Sequence, residues 1–123
     1  MISTEKEEKQ LKKYFDYIVK HAVKSEFRIF FYKSRSHALI CLLLGSCSKN
    51  FKGYSYEDIC GLIPSKLASR TTILTIMQEG TSLKYFSKTP DNVDRRKFFY
   101  KLNLSKKKRI ISWDRDMHKI FNI

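Results

Sequence analysis

Between Ser55 and Leu104 the spacing of apolar residues changes from helical to strand-like, and few folds accommodate that switch in so short a stretch. Ser55 stands as a helix N-cap with Asp58 three residues on, a variant of the capping box. It opens a short helix carrying Ile59, Leu62 and Ile63, which Pro64 ends. Ser69 caps a further helix. On a wheel of 100° per residue, Ile76, Met77 and Gly80 fall within about 60° of Ile73 and form an inner face. Thr71, Thr75, Gln78 and Ser82 occupy the opposite face, with Arg70, Thr72 and Leu74 on its flanks. The segments Leu83–Lys88 and Lys97–Leu104 then read as two strands rich in aromatics, joined by a turn-rich tip from Thr89 to Arg96.

The flanking segments read as helical. Leu11, Tyr14, Phe15, Ile18, Ala22 and Ile29 share one face of a long N-terminal helix, started by Ser3 and Thr4 and the acids Glu5, Glu7 and Glu8. A break near Ser34–Ser36 precedes a second helix over His37–Cys47, apolar nearly all round and therefore predicted to be central and buried. Asn50–Tyr54 is a loop containing Gly53. From Ser105 a closing helix carries Ile110, Trp113, Met117, Ile120 and Phe121 on one face. Its first turn, Lys106-Lys107-Lys108-Arg109, sits badly against the helix dipole, and an external anion would relieve it. The predicted class is mainly α with a small β-hairpin (α+β). The element order is that of a winged helix-turn-helix flanked by terminal helices. One domain is expected, with residues 1–33 as an N-terminal helix available for dimerisation, 36–104 as the core and 105–123 as the C-terminal helix.

Charge narrows the partner. The chain of 123 residues has a formal net charge of +13. From Lys66 to Arg109 there are 12 Lys and Arg against 3 Asp and Glu, so most of the excess lies in about a third of the chain. A phosphate backbone is the natural counterpart. An anionic membrane surface is a rival, but the basic segment lacks a sustained amphipathic helix. An outer helix face of hydroxyls and an amide, where a solvated face would carry Lys and Glu, suits base edges and phosphates. The longest apolar run, Ala38–Leu44, is too short for a membrane span and too far inside the chain for a signal peptide, so a cytoplasmic protein is expected. Cys41, Cys47 and Cys60 form no CxxC pair and read as free, mostly buried thiols; redox sensing would require exposure and a lowered pKa. His21, His37 and His118 lack metal-ligand spacing, and no nucleophile–base set or glycine-rich phosphate loop can be placed. Neither an enzyme nor a cofactor is expected.

The segment Asp94-Arg95-Arg96-Lys97-Phe98-Phe99-Tyr100-Lys101-Leu102-Asn103 resembles the wing pattern D-x-R-x-x-x-V-x-L-T of the MarR family of transcriptional regulators, with the SarA-like branch also similar. Tyr100 replaces the valine and Asn103 the threonine. Ser69-Arg70-Thr71-Thr72-Ile73 is similar to the S-R-x-T-V start of that family's recognition helix. The resemblance covers Ser55–Ser105. Across it the turn at Pro64–Ala68 is longer by about three residues, and Lys84 stands at a usual glycine. The resemblance implies a sequence-specific regulator of double-stranded DNA. Ser69, Arg70, Thr71, Thr72, Thr75 and Gln78 would enter the major groove, and Lys88, Asn92, Arg95 and Arg96 would follow the minor groove and backbone. Asp94 would pair with an arginine and hold the wing. A homodimer would form through the terminal helices, with Leu11, Tyr14, Phe15, Ile18, Trp113, Met117 and Phe121 at the interface. The alternative is a winged helix used for protein docking or as a non-specific nucleoprotein component.

Overall fold

The computed structural model describes residues 4–121. Its elements run α1 (Thr4–His21), α2 (Glu26–Tyr32), α3 (Arg35–Gly45), α4 (Tyr56–Leu62), α5 (Arg70–Ser82), β1 (Phe86–Pro90), β2 (Phe98–Leu102) and α6 (Leu104–Phe121). The chain is thus mainly helical with one antiparallel hairpin, as the apolar spacing predicted. Among the described residues no helix is long and apolar enough to cross a membrane. Ser3, read as part of the first cap, lies outside the described residues.

Serines start four of these helices by the same chemistry. The hydroxyls of Ser25, Ser34, Ser55 and Ser69 accept from the backbone N–H groups of Arg28, His37, Asp58 and Thr72, at 3.1–3.2 Å. Each bond satisfies an N–H that the helix cannot, a contribution of about 1 kcal/mol. At Ser55 the box is complete, because Asp58 Oδ2 accepts from the Ser55 N–H at 3.0 Å.

The single N-terminal helix expected over 1–33 is in fact two. Ser25 is extended (φ −146°, ψ 158°), so the chain leaves α1 after His21 and restarts with a rotated face. Phe27, Phe30 and Phe31 of α2 turn inward, while Ile29, in phase with α1, is 50% exposed. In α1 only Tyr17 is buried; Leu11 and Phe15 lie in solvent. A wheel drawn through the break therefore joined two unrelated faces.

Helix α3 is the hub. It packs against α2, α5, α6 and β2, and buries Ile40, Cys41 and Leu44 completely or nearly so. Its start at Arg35, two residues before the predicted His37, follows from the cap at Ser34. The aromatic side chains of α2 complete the core. Phe30 meets the rings of Tyr85 and Phe86 edge-on at 5.2 and 5.8 Å, and Phe31 meets Trp113 of α6 at 5.4 Å. Such edge-to-face pairs add about 0.5–1.5 kcal/mol beyond the area they bury.

The hairpin is shorter than predicted, pairing Phe86 with Leu102 through Pro90 with Phe98. Its first strand starts three residues late because Leu83 and Lys84 finish α5: Lys84 N–H donates to Thr81 O and Tyr85 N–H to Gly80 O. Lys84 has φ +64°, the left-handed conformation that glycine adopts most readily. One strand-like contact was not foreseen. Tyr54 pairs with Tyr100 through N–H···O bonds of 3.1 and 2.8 Å, which extends the sheet by a bridge. Gly53 makes this approach possible: at φ +111°, a Cβ would fall 2.6 Å from Tyr100 O.

Gly80, on the inner face of α5, lies against the ring of Phe86, and a Cβ there would overlap the ring. Gly80→Ala is expected to lower stability by about 2–3 kcal/mol, the cost of overpacking. Lys84→Gly is expected to raise it by about 1 kcal/mol by relieving the left-handed backbone. Denaturant unfolding of the two variants checks both signs.

Candidate functional site

The inner face of α5 is the one the spacing predicted: Ile73, Ile76, Met77 and Gly80 are buried. That burial turns Thr71, Thr75, Gln78 and Ser82 to solvent, with Arg70, Thr72 and Leu74 also exposed. The outward groups are not equally free. Ser69 is occupied as the cap and its hydroxyl donates to Thr72 Oγ1 at 3.0 Å. Thr75 Oγ1 donates to Thr71 O at 3.0 Å, so this hydroxyl is occupied by its own helix. Arg70 departs most from expectation: its Nη2 lies 2.5 Å from Glu57 Oε1, and its guanidinium sits 5.3 Å from the centre of the Tyr56 ring. Tyr56 hydroxyl in turn donates to Arg70 O at 2.9 Å. Arg70 is thus drawn back to α4, and its hydrogen bond holds the Glu57 carboxyl below the usual range.

On the hairpin, Lys88, Asn92, Asp94, Arg95 and Arg96 are exposed. Asp94 Oδ1 accepts from Arg96 N–H at 3.1 Å and lies 3.5 Å from Arg96 Nε, so the carboxylate and an arginine of the tip do meet. Lys88 Nζ stands 4.2 Å over the Phe98 ring.

Helix and hairpin open onto the same side. One groove is lined by Leu74, Gln78 and Ser82 of α5 together with Lys88 and Tyr100 of the strands. The adjoining groove takes in Leu74 with Asp94, Arg96, Lys97 and Phe98. Ser69, Arg70, Thr71, Thr72, Thr75, Asn92 and Arg95 line neither. Sequence reading missed the α4 contribution: Tyr56 lines both grooves, and Glu57 and Asp58 the second. Only the turn at 63–69, which brings α4 beside α5, places them there. Backbone N–H donation from Ser55 holds the Asp58 carboxyl low, so it stays ionised and occupied in its cap.

A polar cluster ties α5 to the rest of the chain. Glu79 accepts from Lys33 Nζ at 3.0 Å and approaches His37 Nε2 at 3.2 Å, while His37 Nδ1 is 2.6 Å from the Ser34 hydroxyl. With Nε2–H directed at the carboxylate, Nδ1 accepts from that hydroxyl. The hydrogen bond from Lys33 is the main reason that the Glu79 carboxyl sits below its ordinary value, with His37 adding to it and partial burial opposing it.

Two of the three cysteines are buried and one, Cys60, is half-buried. Burial pushes the Cys41 thiol up to about 12 and raises Cys47 as well, so both remain protonated. Of the residues assigned by resemblance to a dimer interface, Leu11 and Phe15 are exposed, and Tyr14, Ile18 and Trp113 are half-buried. Met117 departs from that assignment, because it is buried within the chain itself. Phe121 ends α6, and its side chain lies outside the described residues. No family model, curated protein or solved structure matches the chain.

A carboxyl depressed by folding stabilises the folded chain above its unfolded value, about 4.3 for Glu, and that contribution is lost as pH falls through the lower folded value. Stability is therefore expected to drop as the protein is acidified below about pH 5. Glu79→Gln is expected to flatten that acid limb, measured as unfolding midpoint against pH.

Proposed function

We propose that the chain is a winged helix-turn-helix protein that binds double-stranded DNA in a sequence-dependent way and acts as a transcriptional regulator. On this reading α4 and α5 are the helix-turn-helix, α5 is the recognition helix, and the β1–β2 hairpin is the wing. The observation that carries it is the shared groove: Gln78 and Ser82 of α5 and Lys88 of the hairpin open onto one side, beside Arg96 and Lys97. Insertion of α5 into a major groove would bring the hairpin against the flanking backbone. The local resemblance to the MarR family over Ser55–Ser105 supports the same assignment.

The roles within α5 follow from what each side chain is free to do. Gln78 suits adenine, and the methyl groups that the exposed Thr71 and Thr75 carry suit thymine. Arg70, with Glu57 as partner, fits a positioning contact to phosphate better than a read of guanine. Arg95 and Arg96 supply backbone and minor-groove contacts. Asp94 shapes the tip through Arg96. The protein would act in the cytoplasm, on DNA.

A homodimer fits the same reading. Leu11, Phe15 and Val19 recur every four residues on α1 and are each about 60% exposed (66%, 59% and 60%), which gives an apolar stripe along one helix. Paired across a two-fold axis, such stripes would present two α5 helices to half-sites one helical turn apart.

A second reading has its own support. Tyr56, Leu74, Phe98 and Tyr100 give one groove an apolar lining beside Glu57, Asp58 and Asp94 as well as Arg96 and Lys97, a mixture of both charges around apolar side chains that would also suit a protein-docking groove. Selection of bound duplexes from a random pool decides between them, since an enriched motif at physiological salt is expected only for the DNA regulator. Gln78→Ala should then shift the motif by about 1–3 kcal/mol at one base pair. Arg95→Ala with Arg96→Ala should weaken all duplexes alike and make the log–log salt slope shallower by roughly 0.9 for each phosphate that is no longer neutralised. A pool that yields no motif, together with a protein ligand that Leu74→Ala no longer binds, would give the groove to docking.

A further inference from the structure

A second basic site lies away from α5 and the hairpin. Lys24 and Ser25 of the α1–α2 turn, Arg28 of α2, and Lys108, Arg109 and Ser112 of α6 line an open cleft of about 430 Å³. Of the run that opens α6, two members are used internally: Lys107 Nζ donates to Cys47 O at 2.7 Å, and Lys106 stands over the Tyr85 ring. The other two, Lys108 and Arg109, are exposed and turn into the cleft. Across it Lys24 is exposed, and Arg28 donates to the neutral Tyr17 hydroxyl at 3.2 Å.

Among the described residues no carboxylate forms an ion pair with any of these four cations. Asp116 nearby accepts instead from the Tyr17 hydroxyl at 3.0 Å. Four like charges converging on one concavity repel one another and raise a positive potential there. The adjacent His21 registers the field: burial first, and then Lys24, Arg28 and Lys20, hold its ring below the ordinary imidazole value, against Asp116.

We propose that this cleft binds the phosphate backbone of a second nucleic-acid segment, so that one molecule can hold two duplexes. The lining decides the ligand class. It contains cations and two serine hydroxyls and no aromatic or aliphatic residue, so it offers phosphates charge and hydrogen bonds and offers a nucleobase no aromatic ring to stack on. A nucleotide effector would be recognised by its phosphates alone. A backbone supplies those phosphates in series. The proposal rests on the α5–hairpin reading for the first duplex, whereas the cleft itself draws no residue from α4, α5 or the hairpin.

The test mixes the full chain with two unrelated short duplexes, one carrying a donor fluorophore and the other an acceptor, at low salt. Energy transfer between duplexes is expected with the parent protein, and at least a tenfold loss with K24Q/K108Q/R109Q. The variant K6Q/K13Q/K119Q removes the same charge from exposed positions elsewhere and is expected to retain the transfer. Single-duplex affinity should differ by less than threefold between these two variants. All the altered side chains are exposed, and unchanged thermal unfolding confirms that the fold is intact. No transfer with the parent, full transfer with the cleft variant, or equal loss in both variants would overturn the proposal. So would saturable binding of labelled ATP that the cleft variant loses while duplexes are not bridged. Failure of the α5–hairpin reading registers separately, as single-duplex affinity unchanged in R95Q/R96Q.

Discussion

What α5 can offer to a partner is decided on the side that partner never meets. Four inward positions, Ile73, Ile76, Met77 and Gly80, seat the helix on α3 and on the base of the hairpin. Burying a side chain such as Ile or Met is worth about 1.5–3 kcal/mol, and the absence of one at Gly80 lets the Phe86 ring lie flush with the helix backbone. Rotating α5 by one residue would expose Ile73 and Met77 and drive a threonine or Gln78 inward without partners, at further cost. The rotational setting is therefore strongly held, and with it the outward display of hydroxyls and amide. Glu79 fixes the remaining freedom from the edge, through Lys33 and His37.

The same logic governs the hairpin, which alone would be marginal in water. Tyr85 and Phe86 anchor its base among Phe27 and Phe30 of α2, and Leu102 returns the second strand to α3. The tip is free of such demands. Its residues from Asn92 to Lys97 are exposed, and Asp94 and Arg96 order it by local bonds. The packed base fixes where the hairpin lies beside α5, and the polar tip extends from it into solvent.

Local signals in the sequence proved the most legible. Ser55 with Asp58, Ser69, and the inner face of α5 could be read because caps and helical spacing act over three or four residues. The same kind of signal was present at Ser25 but lay inside a pattern that stayed in phase by coincidence, since Ile29 continues the α1 face that the chain had already abandoned. Pairings across the fold were not legible. Nothing near Tyr54 announces a bridge to Tyr100, and Glu57 meets Arg70 only because the turn between them folds α4 onto α5. The predicted role of Arg70 changed for that reason, whereas Thr71, Thr75 and Gln78, which depend on helix phase alone, kept their exposure. The dimer-interface set mixed both cases: Leu11 and Phe15 stay outside, while Met117 is drawn into the core by the packing of α6.

The folded chain uses its carboxylates locally, although Lys and Arg outnumber them by 13. Its carboxylates number 12, and most are occupied within the fold. Asp58 closes a cap, Glu79 anchors α5, Glu57 holds Arg70, Asp94 shapes the tip through Arg96, and Asp116 meets Tyr17. Each of these stands beside a particular backbone or side-chain group, so none is free to neutralise the cations that remain. The cations without an ion-pair partner among the described residues include Arg95 and Lys97 at the hairpin tip and Lys24, Arg28, Lys108 and Arg109 in the cleft beside α6. Screening by salt weakens the repulsion among exposed charges without removing it where they share a concavity. The cations of the cleft beside α6, which share a concavity and have no ion-pair partner among the described residues, therefore keep part of that repulsion in the folded chain.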